Sequence, residues 1–162
     1  MITSSLSYQW ELIFRGLDNN VLYIRENDKK IILKLLNSSS ELQTIAGKLD
    51  YDIKWVESVI KNKKLHLCLV AVEKDEIVGV LLSSLWPATK ESFTIDLIIK
   101  KKFRGKGIAT ELNKKYEKIL KNKNYDSSFS FVSIKNKKMQ KLKSKLGYKK
   151  GKTFYFYGKI LK

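Results

Sequence analysis

The stretch from Ile95 to Thr110 does most to limit what this chain can fold into. It starts as an apolar, β-branched run, Ile95-Asp96-Leu97-Ile98-Ile99, which has the character of a buried strand. It then crosses Lys100-Lys101-Lys102-Phe103-Arg104 and meets two glycines, Gly105 and Gly107. Beyond them Ile108, Leu112, Tyr116, Ile119 and Leu120 recur at helical spacing. The order is strand, basic turn, glycines, helix start. A helix start has backbone N–H groups without partners and the positive end of the helix dipole. Gly105 and Gly107 let a bulky anion reach those amides, and Arg104 and Lys106 add charge, so the segment suits a pyrophosphate. It lacks the third glycine of the dinucleotide fingerprint and the Gly-Lys-Ser/Thr of the nucleotide P-loop. The plain alternative is a glycine turn joining strand to helix.

The flanking periodicities set the architecture. Leu65–Val72 and Ile77–Leu85 are strand runs around a polar turn, Glu73–Glu76, and read as a hairpin that ends at Trp86-Pro87; Phe93–Ile99 follows as a third strand. Ser128–Ile134 reads as a fourth strand. A helix from Asn136 carries Met139, Leu142 and Leu146 and stops at Gly147, and Thr153–Leu161 is a last, aromatic strand. Upstream, Val21–Arg25 reads as a strand, and a helix after Asn27-Asp28 carries Ile31, Ile32, Leu35 and Leu36. Ser40-Glu41-Leu42-Gln43 has capping-box form and predicts a helix with Leu42, Ile45, Ala46 and Leu49 on one face. A further helix is expected over 52–61. Residues 1–18 could form a short helix against the core through Tyr8, Trp10, Leu12, Ile13, Phe14 and Leu17. The class is α/β, with a mixed sheet of about six to seven strands flanked by about four helices. A chain of 162 residues suits one domain, here 21–162, with an extension over 1–20.

Composition narrows the function classes. One cysteine, Cys68, excludes an intrachain disulfide framework, and its apolar surroundings suit a buried, inert thiol. One histidine and one cysteine cannot make a four-ligand metal set, so no metal is expected. There is no signal-peptide pattern and no run long enough to span a membrane; a cytoplasmic protein without a membrane partner is the expectation. The net charge is +17, with 33 Lys and Arg against 16 Asp and Glu. Such a surface favours anionic partners, RNA among them, or is simply a lysine-biased, solvated one. The excess of lysine over arginine fits the second reading, because bidentate phosphate recognition prefers arginine.

Arg104-Gly105-Lys106-Gly107-Ile108-Ala109 matches the pattern [Arg/Gln]-x-x-Gly-x-[Gly/Ala] with which the GNAT superfamily of N-acetyltransferases holds the CoA pyrophosphate. The strand before it resembles that family's central strand. Asn136 to Tyr148, an Asn-led helix ending in Gly-aromatic, resembles its second signature, and Tyr23–Asp28 with the following helix resembles its start. The resemblance spans about residues 21–161 in order. It implies acetyl transfer from acetyl-CoA to an amine. It assigns the pantetheine arm and thioester to the backbone of a bulged strand, here Leu97, Ile98 and Ile99, with Asn136 beside them. It assigns the pyrophosphate to Arg104, Gly105, Lys106, Gly107, Ile108 and Ala109, with amides counted from Phe103.

The chain departs from that pattern at two places. Lys101 stands where a proline is usual. Lys143 stands seven residues after Asn136, where many members carry a tyrosine that protonates the leaving thiolate. A buried lysine with a depressed pKa could donate that proton, or Lys143 is an ordinary helix residue. Ser144 and Tyr148 are its neighbours in that role. Asp96 is the first candidate to contact the acceptor amine or act as base, Glu91 the second, and His66 is expected to be structural. Three readings stay open: a small-molecule or protein N-acetyltransferase, a basic acyltransferase acting on aminoacyl-tRNA, and a CoA-binding module without catalysis. The aromatic C-terminal strand would serve as a homodimer edge or as a core strand.

Overall fold

The computed structural model describes residues 13–15, 26–38, 43–44, 47–48, 51–153, 155, 157 and 159. Among these residues, four α-helices and one mixed sheet form the body: β1 (Ile13–Arg15), α1 (Glu26–Leu36), α2 (Ile53–Lys61), β4 (His66–Glu73), β5 (Glu76–Trp86), β6 (Glu91–Ile99), α3 (Ile108–Asn122), β7 (Ser127–Phe129) and α4 (Lys137–Lys145). Between α1 and α2, β2 (Gln43–Thr44) and β3 (Gly47–Lys48) form a separate antiparallel pair.

The sheet runs β1-β4-β5-β6-β7, antiparallel except for the parallel β6–β7 pair. The β4–β5 hairpin turns on Lys74 and Asp75, both left-handed at φ 47 and 61. Alternation along the strands divides the core into two layers. One face packs Val70, Val80, Leu82 and Ile98 against Ile32, Leu36, Val56 and Ile60 of α1 and α2. The other packs Leu69, Leu81, Leu85 and Ile99 against Ile108, Leu112, Tyr116 and Ile119 of α3.

The mixed sheet and the four helices agree with the sequence, but the strand count does not. Among the described residues the sheet has five strands and not six to seven. Within the helix expected over Ser40–Leu49, Gln43–Thr44 and Gly47–Lys48 pair instead as β2 and β3, since Thr44 and Gly47 are poor helix residues; the rest of that stretch lies outside the described residues. Ile13–Arg15 is a strand rather than part of a helix, and it takes the free edge of β4. The strand expected over Ser128–Ile134 is cut to Ser127–Phe129, because β7 leaves β6 beyond Phe93. In the last predicted strand, Thr153, Tyr155, Tyr157 and Lys159 belong to no described strand, and its remaining residues lie outside the described ones. The strand at 21–25 is also outside them. No helix among the described residues is long and apolar enough to cross a membrane.

Candidate active site

The central feature is a parting of two parallel strands. β6 and β7 pair from Glu91↔Ser127 to Phe93↔Phe129 and then separate. Tyr116 fixes the point of departure from beneath: its hydroxyl bonds Ser83 of β5 at 2.9 Å, Ser92 of β6 at 2.8 Å and Ser128 of β7 at 3.0 Å. Beyond Phe93, no described strand covers the far edge of β6.

The register shows which groups face that open edge. The Lys100 N–H donates to the Val78 carbonyl at 2.8 Å, so residues 98 and 96 also direct their amides to β5. Leu97 and Ile99 therefore turn theirs the other way. The Ile99 carbonyl is taken by Arg104 Nε at 2.9 Å. Of the three residues expected to meet the thioester arm, Leu97 and Ile99 present backbone to the opening and Ile98 pairs with β5. A β-bulge opposite Leu82/Ser83 inserts Ile95 and places Ile95 and Asp96 together on the α1/α2 face. This bulge lies just upstream of the expected Leu97–Ile99.

Where β6 ends, a 3-10 turn (Lys101–Phe103) leads into the glycines. Glu76 at the head of β5 holds the turn by ion pairs of 3.0 Å to both Lys100 and Lys102, and these cations draw its carboxyl below the usual range. Buried Phe103 anchors it, with Lys102 and Lys106 ammonium groups over its ring at 4.8 and 5.0 Å. The Phe103 and Arg104 amides donate to Lys100 and Lys101 carbonyls, so the turn itself uses these two amides, the first of which opened the expected series. Gly105 and Gly107 are left-handed at φ 81 and 83, a conformation that favours glycine, and a Cβ on either would meet open space. Gly107 caps α3 without a side-chain bond, whereas Asp52 and Asn136 cap α2 and α4 with theirs. The first amide satisfied within α3 is that of Glu111, leaving those of Ile108, Ala109 and Thr110 without an intrahelical acceptor. The side chains and charges fit a pyrophosphate.

Asp96 is 5% exposed, and burial pushes its carboxyl up to about 6 against a hydrogen bond that pulls it down. That bond comes from the Tyr51 hydroxyl to Oδ2 at 2.9 Å. Tyr51 is itself set firmly. Asn37 brackets its backbone, Oδ1 accepting from its N–H at 2.8 Å and Nδ2 donating to its carbonyl at 2.9 Å, and Trp55 stacks on its ring at 4.2 Å. Burial, and then the Asp96 charge, raise the Tyr51 pKa, so the phenol stays a donor.

Lys143 is buried at 7% exposure, and that burial lowers its ammonium to about 8, against the opposing pull of Glu117. Its Nζ donates to Asn113 Oδ1 at 3.2 Å and lies 4.2 Å from the centre of the Tyr148 ring. Asn113 in turn bonds the Ala109 carbonyl at 2.8 Å, which ties Lys143 to the first turn of α3. The Tyr148 hydroxyl is buried without a hydrogen bond of good geometry, and burial pushes it up to about 12. Ser144 points to solvent. Asn136 Oδ1 caps α4 through Met139 N–H at 2.9 Å. Glu91 opens β6, well before Asp96, and His66 opens β4, across β5. Cys68 is buried, its thiol pushed up to about 12. Among the described residues no cluster of His, Cys, Asp and Glu could hold a metal.

Sequence reasoning missed Tyr51, Trp55 and Asn113. Only Asn113 left a signal: a polar residue beside Leu112 on the apolar stripe of α3.

A family model described as "Acetyltransferase (GNAT) family" matches residues 12–148. The chain belongs to the GNAT acetyltransferase family. Solved GNAT structures share its fold. An aminoglycoside acetyltransferase, meta-AAC0020, from an uncultured soil metagenomic sample in complex with sisomicin superposes with a TM-score of 0.72 at 17% identity, covering 93% of this chain and 97% of that one. AAC(6')-Iy in complex with the bisubstrate analogue CoA-S-monomethyl-acetylneamine gives 0.71 at 15%, covering 93% and 99%. The ribosomal-protein-alanine N-acetyltransferase from Brucella melitensis biovar Abortus 2308 gives 0.69 at 14%, covering 92% and 99%. No curated protein matches the chain by sequence.

Proposed function

We propose that this GNAT chain moves an acetyl group from acetyl-CoA to a primary amine by direct attack within a ternary complex. The observation that carries the reading is the open edge of β6, running straight into a glycine-led helix start with no side-chain cap. The amides of Gly105 to Ala109, with Arg104 and Lys106, take the pyrophosphate at the positive end of α3. Leu97 and Ile99 hold the pantetheine arm by their outward backbone, beside Asn136. A backbone N–H there polarises the thioester carbonyl and stabilises the oxyanion that forms when nitrogen attacks.

Asp96 stands on the opposite face, where the acceptor enters. Tyr51 occupies Oδ2 and leaves Oδ1 for the amine. Forming the C–N bond makes the nitrogen acidic, so a carboxylate near 6 suffices to accept its proton. The C–S bond then breaks and its electron pair leaves on sulfur. Lys143 donates a proton to that thiolate, and an ammonium near 8 is matched to the task. Neighbours of the same fold act on aminoglycosides and on a ribosomal protein, so the fold alone does not select the acceptor.

Release of the CoA thiol in the presence of an amine panel tests this. Acetylated amine and free thiol should form in equal amounts. The ratio of wild-type kcat to that of Lys143→Met should be largest below pH about 8 and fall toward one above it, since only the ammonium can donate. A ratio independent of pH removes Lys143 from the reaction. Absence of acetylation with every amine removes the enzyme reading and leaves a binding module.

A further inference from the structure

Four aromatic rings lie together on the α1/α2 face of the sheet, outside both core layers. Trp86 ends β5, Phe93 is on β6, Phe129 ends β7 and Phe131 follows two residues later. Phe93 is 6.4 Å from Trp86, 5.6 Å from Phe129 and 5.2 Å from Phe131, and Trp86 and Phe129 are 5.2 Å apart. Their face follows from alternation, because Ser92 and Ser128, the neighbours of Phe93 and Phe129, point to Tyr116 on the α3 side. Yet Trp86 is 44% exposed and Phe131 80%. Water against so many rings is unfavourable, and an apolar surface of this kind marks a place that something covers.

The same strand connects it to the reactive carboxylate. Phe93, Ile95 and Asp96 follow one another on one face of β6, so rings and carboxylate are separated by about 10 Å or less along the strand. Stacked Tyr51 and Trp55 close the other side of Asp96. The net charge of +17 disfavours a polycation, and the acids on this strand face are Asp96 and, beyond the rings, Glu91.

We infer that the acceptor is a monoamine carrying an aromatic ring: its nitrogen meets Asp96 and its ring lies on Phe93, Phe131 and Trp86. This rests on the acetyl-transfer reading and goes further in naming the substrate class. The test compares kcat/KM for 2-phenylethylamine, n-butylamine, spermidine and kanamycin, in the wild-type chain and in Phe131→Ala and Trp86→Ala. 2-Phenylethylamine should lead. Each variant should cut its kcat/KM by roughly tenfold, with less than about a threefold change for n-butylamine, as loss of a ring contact requires. A lead by spermidine or kanamycin would overturn the inference while leaving the enzyme reading intact. So would variants that lower the melting temperature with selectivity unchanged, because the rings would then pack against the chain's own C-terminal residues. If none of the amines is acetylated, the enzyme reading itself fails first.

Discussion

Asp96 gives the sharpest statement at the scale of a residue. Its carboxyl is raised from an ordinary 3.8 to about 6, so between those values the folded chain binds protons that the unfolded chain has released. Stability from this group is therefore highest at low pH, falls as pH rises from about 4 to about 6, and is flat above. The cost of holding it ionised near neutrality is on the order of 2–3 kcal/mol. Asp96→Asn keeps an acceptor for the Tyr51 hydroxyl and removes the buried charge. The variant should melt several degrees higher at pH 7, lose the pH dependence in that window, and lose acetyl transfer by about a hundredfold or more. Thermal unfolding across pH, with thiol release beside it, checks both halves. An unchanged melting point would mean that solvent reaches the carboxylate.

At the scale of elements, the proposed CoA site is the junction of β6, β7 and α3. Gly107→Ala isolates one part of it. The left-handed φ of 83 costs an alanine about 1 kcal/mol, and its methyl group would meet no protein atom. The fold should persist while the methyl group stands where an anion would approach. Titration calorimetry should show acetyl-CoA binding weakened by roughly tenfold or more. Unchanged affinity would place the pyrophosphate elsewhere. This half of the site was legible in the sequence, because glycines, basic residues and helix periodicity are local signals. The proposed acceptor side was legible only in part: Asp96 stood out on its strand, but its partner did not. Tyr51 reaches Asp96 across 45 residues of sequence, and no spacing rule links them. The helix read over Ser40–Leu49 failed for the opposite reason: a local capping pattern was outweighed at Thr44 and Gly47, weak helix formers that pair across β2 and β3. The Tyr116 hydroxyl, read only as part of an apolar stripe, is what joins three strands where the opening begins.

At the scale of the whole molecule, charge and fold make separate claims on an anionic ligand. Residues 127–162 contain 11 lysines and no Asp or Glu, so part of any response to a phosphate compound comes from the surface at large. A seat built from the β6 edge and the α3 start requires the pantetheine arm as well as the phosphates. Thermal unfolding with acetyl-CoA, against ATP and inorganic triphosphate at the same concentration and salt, separates the two. Acetyl-CoA at about 100 times its dissociation constant should add about 2.7 kcal/mol of stability. It should raise the melting point by several degrees, well beyond either control. Equal shifts from all three would mean a general polyanion surface, and would contradict a CoA site between β6 and β7.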